Sequence, residues 1–199
     1  MQYEKLFLDL LERVAVLEER VADLESANQE LEEKEEFETV DGTPTRTISN
    51  RSMVLQEVTE ILSNKYDFKV QKGKRADGGG LIVFKNGKKS NLKILVSRNY
   101  MMQPVEPEYE WGGWHTFVPS ELELFDYYIF AIKISDDKAV QYFIFNNKTM
   151  SEICAQKEPD SNGSVHFYFR KRWNGKLVDA RGEEADMSAF YNNWNIIQG

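Results

Sequence analysis

The chain has 199 residues with 33 acids and 25 bases, a formal net charge of −8, one cysteine and two histidines. Apolar residues make up 41% and aromatics 13%, the composition of a folded soluble chain and not of a disordered one. One cysteine excludes an intrachain disulfide, and Cys154, His115 and His166 cannot together form a structural zinc site.

No apolar run approaches the ~20 residues needed to cross a bilayer, so no membrane partner is expected. The opening MQYEKLFLDLLERV mixes acids with its leucines and has no small-residue cleavage site, so it does not read as a signal peptide. A reduced, cytoplasmic setting is expected. The negative charge is unevenly spread: residues 1–49 carry 14 acids and 5 bases, a net of −9, whereas residues 51–98 carry 4 acids and 11 bases, a net of +7. A low overall pI therefore leaves room for an anionic partner.

The first element is a heptad seam. Tyr3, Phe7, Leu10, Val14, Leu17, Val21, Leu24, Asn28 and Leu31 alternate steps of four and three, the spacing of a left-handed supercoil. With leucine at d, the a positions are Phe7, Val14, Val21 and Asn28. Valine at a with leucine at d favours two parallel strands, and one buried asparagine fixes their register. Arg13 and Arg20 at g face Glu18 and Glu25 at the following e positions of a parallel partner. A strict a/d seam is too narrow for a lone helix lying on its own domain. Residues 1–35 are expected to form a parallel homodimeric coiled coil. Residues 36–49, acidic and then broken by Asp41-Gly42 and Pro44, read as a linker.

Residues 50–199 read as one mixed domain. A helix is expected with Val54, Leu55, Val58, Ile61 and Leu62 on its apolar face. Alternating Tyr66, Phe68 and Val70 give a first strand, Leu81 to Phe84 a second, and Leu92 to Val96 a third after the Asn86-Gly87 hairpin turn. Residues 98–119 read as a long irregular loop. Beyond it come a buried strand in YYIFAIKI, a strand in VQYFIF, a helix near 148–156, a strand from Ser164 to Phe169, and a closing helix over 185–196. The fold class expected is α/β (α+β), a mixed central sheet flanked by helices and preceded by the coiled coil.

Lys69, Lys72, Lys74, Arg75, Lys88, Lys89 and Arg98 gather around the turns of the meander and could share one nucleic-acid-binding surface. A dimer would duplicate that surface and gain avidity. Trp111 and Trp114 could stack on bases, but read more simply as tethers of the long loop. His115 reads as a loop or partly buried residue and Cys154 as a packing residue. Asp77 before three glycines lacks the spacing of a nucleotide-binding loop.

This order of elements, with Glu57 on the helix, the stretches ADGGGLIVFKNGKKSNLKILVSR and LFDYYIFAIK, then QYFIFNN and FYNNWNII, resembles the PD-(D/E)xK nuclease superfamily, the restriction-endonuclease-like proteins. The resemblance implies that Asp77 and Glu57 would hold Mg²⁺ with a lysine nearby, because metal charge stabilises a phosphodiester transition state and carboxylates hold the metal. The acid-plus-lysine pair on the third strand is incomplete in both registers. Leu95-Val96-Ser97 has neither residue, and Asn91-Leu92-Lys93 has lysine with an amide in place of the acid.

The expectation is a dimeric, catalytically inactive nuclease-like protein that binds DNA or a DNA-processing protein without a cofactor, with Glu57, Asp77 and Lys93 as vestiges of the catalytic set. Two alternatives stay open: an active Mg²⁺-dependent endonuclease, and a non-enzymatic inhibitor or adaptor.

Overall fold

The computed structural model describes residues 39–40, 43–44, 49–74, 80–100 and 107–198. The chain divides into two units, Met1–Ser49 and Asn50–Gly199. In the first, Thr39–Val40 pairs antiparallel with Thr43–Pro44. The expected coiled coil, with its seam from Phe7 to Leu31, lies outside the described residues, as do Arg75 and Asp77.

The second unit opens with α1, Asn50–Tyr66, whose Val54, Val58 and Leu62 recur every four residues and are buried as one stripe. Tyr66 stays in this helix and does not begin the strand. Asp67 then takes a left-handed φ of 57°, the chain turns, and β1 runs over Lys69–Lys72. It pairs antiparallel with β2, Leu81–Lys85. Asn86 and Gly87, at φ 51° and 77°, form the two-residue turn into β3, Lys88–Arg98, which is longer than the sequence pattern suggests. After a long excursion the chain returns as β5, Tyr127–Lys133, parallel to β3, and β6, Gln141–Asn146, closes the mixed sheet in the order β1-β2-β3-β5-β6.

The excursion holds the first correction. The stretch expected as an irregular loop contains a strand, because Tyr109–Phe117 forms β4. It belongs to a second, antiparallel sheet ordered β9-β8-β7-β4, with β7 at Val165–Arg172, β8 at Leu177–Asp179 and β9 at Ala185–Asp186. Helix α2, Asn147–Ala155, follows β6 directly, with the Asn146 side chain accepting the Thr149 N–H at 2.9 Å.

The closing helix is the second correction. Residues 185–196 form β9 and 3-10 turns at Ser188–Phe190 and Trp194–Gln198. Asn192, at φ 48°, exchanges hydrogen bonds with the Tyr142 backbone through its N–H and its side-chain oxygen, and Tyr191 bridges to Phe143. Binding the edge of β6 satisfies backbone groups that a helix would otherwise have paired internally.

The pleat of β5 sets the layering. Tyr127, Ile129 and Ala131 pack in one apolar cluster with α1 residues and with Trp194 and Ile197. Tyr128, Phe130 and Ile132 pack in the other, with residues of the second sheet and of α2. Phe130 sits 5.0–5.7 Å from the rings of Phe145, Phe167 and Phe169, most of them edge-on. The unit is therefore a mixed α/β arrangement in three layers: helix, mixed sheet, antiparallel sheet. No described helix is long and apolar enough to cross a membrane.

Glycine at 113 lets the two sheets meet. A Cβ there would lie 2.4 Å from Ile132 Cγ1 and 2.7 Å from Ser97 Oγ. The obstacles belong to β5 and β3, two inner strands of the mixed sheet, so Gly113→Ala is expected to destabilise the unit by about 1–3 kcal/mol. A urea melt in which the midpoint stays unchanged would refute this.

Candidate nucleic-acid interface

The meander is built by local sequence. The Asn86-Gly87 turn fixes the β2–β3 register, which puts Phe84 opposite Lys89, and β1 adds Lys69 opposite Phe84. Lys69, Phe84 and Lys89 therefore form one cross-strand row on one face, since residues paired directly across strands project to the same side. That face points away from α1, because Val83 and Val70 on the opposite pleat pack in the α1 cluster. Phe84 is half-buried, while both lysines are exposed. Two strand spacings separate the lysine backbones, about 10 Å.

Other cations of the meander have different positions and uses. Lys72 and Lys88 lie on the pleat facing α1, Lys72 near the end of β1 and Lys88 beside the hairpin turn. Lys74 is exposed just beyond β1. Lys85 donates to the Tyr66 carbonyl at 2.7 Å and lies over the Phe68 ring, so its charge closes the end of α1 onto the sheet. Among the described residues no carboxylate is paired with Lys69, Lys72, Lys74 or Lys89. Arg98 is displaced from this group. It lies at the far end of β3, over the Tyr100 ring at 5.3 Å.

Of the residues named for catalysis, the two that are described, Glu57 and Lys93, do not converge. Glu57 lies on α1 near Tyr142, whose buried hydroxyl makes no hydrogen bond of ordinary geometry. Burial raises the Tyr142 phenol above its usual pKa, and the Glu57 carboxylate adds to the effect. Lys93 projects from the opposite pleat, paired with Glu121 at 2.8 Å and lying 5.3 Å from the Phe125 ring centre. The mixed sheet thus separates Glu57 from Lys93.

In the other register, Leu95 packs against the inter-sheet cluster and Ser97 Oγ meets His115 Nε2 at 3.2 Å. Among the described residues no three acids, histidines or cysteines gather closely enough to hold a metal. The described members of the set therefore do not fit a Mg²⁺ centre.

The remaining singled-out residues fall into the packing. His115 is buried on β4 between Phe130 and Phe169, and burial lowers its pKa to about 3, so it is a neutral core histidine and not a loop residue. Cys154 is buried on α2, where burial raises its thiol pKa to about 11. Trp111 is buried in the inter-sheet core, stacked with Tyr191. Trp114 is on the opposite pleat of the same strand and is half-buried. No family model matches the sequence, nor does any curated protein or solved structure.

Proposed function

We propose that this chain is a nucleic-acid-binding protein that does not cleave its ligand, restriction-endonuclease-like in layout and paired with a second copy through its N-terminal heptads. The carrying observation is the row of Lys69 and Lys89 flanking Phe84 on the uncovered face of the meander. Two ammonium groups that have no carboxylate partner among the described residues, held by one strand register, are suited to phosphates and carry no sequence preference. The helix-then-meander order and the parallel return of β5 support the nuclease-like layout. The separation of Glu57 from Lys93 supports loss of cleavage.

The test is fluorescence anisotropy on labelled duplex DNA between about 50 and 200 mM salt. Affinity is expected to fall steeply with salt. Lys69→Ala and Lys89→Ala should each reduce the log–log slope by about 0.9. Absence of binding at low salt, or binding with no salt dependence, would refute the reading. Plasmid incubated with Mg²⁺ or Mn²⁺ should stay uncut, and light scattering should give a dimer mass.

A further inference from the structure

We infer that the outer face of the antiparallel sheet is a second surface, one that takes single-stranded nucleic acid by stacking. This inference does not rest on the lysine row, which lies on the other sheet. The pairing of β4 with β7 sets Trp114 opposite Tyr168 and Gly112 opposite Arg170, while Phe167 and Phe169 on the alternate pleat fill the core. Aromatic and cationic side chains therefore share the outward side.

The rings are interleaved with guanidinium groups. Trp114 meets Tyr168 edge-on at 6.0 Å and Tyr100 edge-on at 6.1 Å. Arg98 lies 5.3 Å over Tyr100 and Arg181 5.2 Å over Tyr168, its Nη1 donating to the Tyr168 hydroxyl at 2.9 Å, while Arg170 is set between Tyr168 at 5.7 Å and Tyr109 at 4.7 Å. A guanidinium over a single ring, as at Arg98 and Arg181, keeps most of its in-plane N–H donors for a phosphate while its outer face can take a base. Among the described residues Arg98 and Arg181 have no carboxylate partner.

The platform is also pinned. Trp114 Nε1 donates to His166 Nδ1 at 3.0 Å, which leaves the proton on His166 Nε2 to be donated to Asp160 at 2.8 Å. A ring already held in place loses little freedom on binding.

This chemistry selects a single strand. Bases in a duplex already stack on one another and offer no free π-face, and a broad sheet face does not enter a groove as a helix does. An acidic peptide would use the guanidinium groups and leave the rings idle. Single-stranded DNA or RNA uses both.

The experiment measures anisotropy of short labelled oligo(dT) with the full chain. Tyr100→Ala and Arg181→Ala remove exposed side chains and should spare the fold. Each is expected to weaken oligo(dT) binding about 5-fold or more while duplex binding is retained. Tyr100→Phe should retain affinity, because the ring is kept. Binding should quench tryptophan emission, and Trp114→Phe should reduce that quench. Lys69→Ala with Lys89→Ala should weaken duplex binding and leave oligo(dT) binding in place. The inference fails if oligo(dT) does not bind at low salt. It fails equally if Tyr100→Ala and Arg181→Ala bind as the parent does, or if the lysine pair removes single-strand binding as completely as duplex binding. A parent chain that binds oligo(dT) but no duplex at low salt would sink the lysine-row reading and leave this one standing.

Discussion

Lys157→Met is expected to destabilise the unit by about 3–5 kcal/mol. Lys157 Nζ pairs with Asp179 Oδ2 at 2.6 Å, with only 12% and 2% of the two side chains exposed. Among the described residues that oxygen has no hydrogen-bond partner beyond the ion pair, so methionine would leave an enclosed carboxylate without its counter-ion. Asp179 Oδ1 is committed elsewhere, accepting the backbone N–H groups of Tyr168 at 2.9 Å and Arg181 at 3.1 Å. Adding Asp179→Asn to Lys157→Met should therefore recover part of the loss, because the amide oxygen can keep those contacts without the charge. Chemical denaturation of the parent, both single variants and the double variant gives the coupling directly. A Lys157→Met variant within about 0.5 kcal/mol of the parent would show that the pair does not matter.

Acid is expected to unfold the protein beginning well above the ordinary carboxylate range, with His115 as the cause. Enclosed among Phe130, Phe169 and Ser97, the folded imidazole stays neutral down to about pH 3, whereas in the unfolded chain it takes up a proton near pH 6.5. The unfolded state therefore binds more protons across that window, and stability falls as pH drops through it, by about 1.4 kcal/mol per pH unit. Between pH 6.5 and 4.5 the loss is about 2 kcal/mol, because the slope is only half developed at pH 6.5. Asp160 and Glu184 hold their charge to lower pH than usual, Asp160 through backbone and His166 hydrogen bonds that outweigh its burial and Glu184 through Lys176 and Arg172. Their contribution is present above the ordinary carboxylate pKa and is lost only as pH falls below it, so the upper window belongs to histidine. Urea midpoints at pH 7 and 4.5 should converge in His115→Gln and diverge in the parent. Equal losses in the two proteins would refute the assignment.

Three local rules named elements that the structure contains. Asn86-Gly87 announced a hairpin because few other residue pairs adopt two left-handed conformations in succession. The run YYIFAIK announced a strand buried on both faces because no polar residue interrupts it. Val54, Val58 and Leu62 announced a helix by their period. These signals were enough to set Lys69 and Lys89 on one small meander.

Elsewhere local rules misled. Gly112-Gly113 beside Trp, Glu and His looked like a loop, yet Gly113 is there so that two sheets can approach, a reason visible only from Ile132. Met187, Phe190, Tyr191 and Trp194 had near-helical spacing, but they wrap over the edge of β6, where Tyr142 offers backbone groups that sequence spacing cannot announce. The aromatic outer face was hidden for the same reason: Tyr100, Trp114, Tyr168 and Arg181 come from separate stretches and meet only through pairing over long separations. The split between Glu57 and Lys93 likewise depends on which pleat each faces once helix and sheet have packed.

The excursion between β3 and β5 has a temporal consequence. Strand β4 is synthesised before β5, β6 and α2, yet its partner β7 comes after all three. Until Val165–Arg172 leaves the ribosome, Trp111 and Phe117 have no second sheet to help enclose them. Such high contact order makes for slow, late closure. The mixed sheet must wait with one greasy flank bare, so crowding by neighbouring nascent chains is most dangerous at that stage.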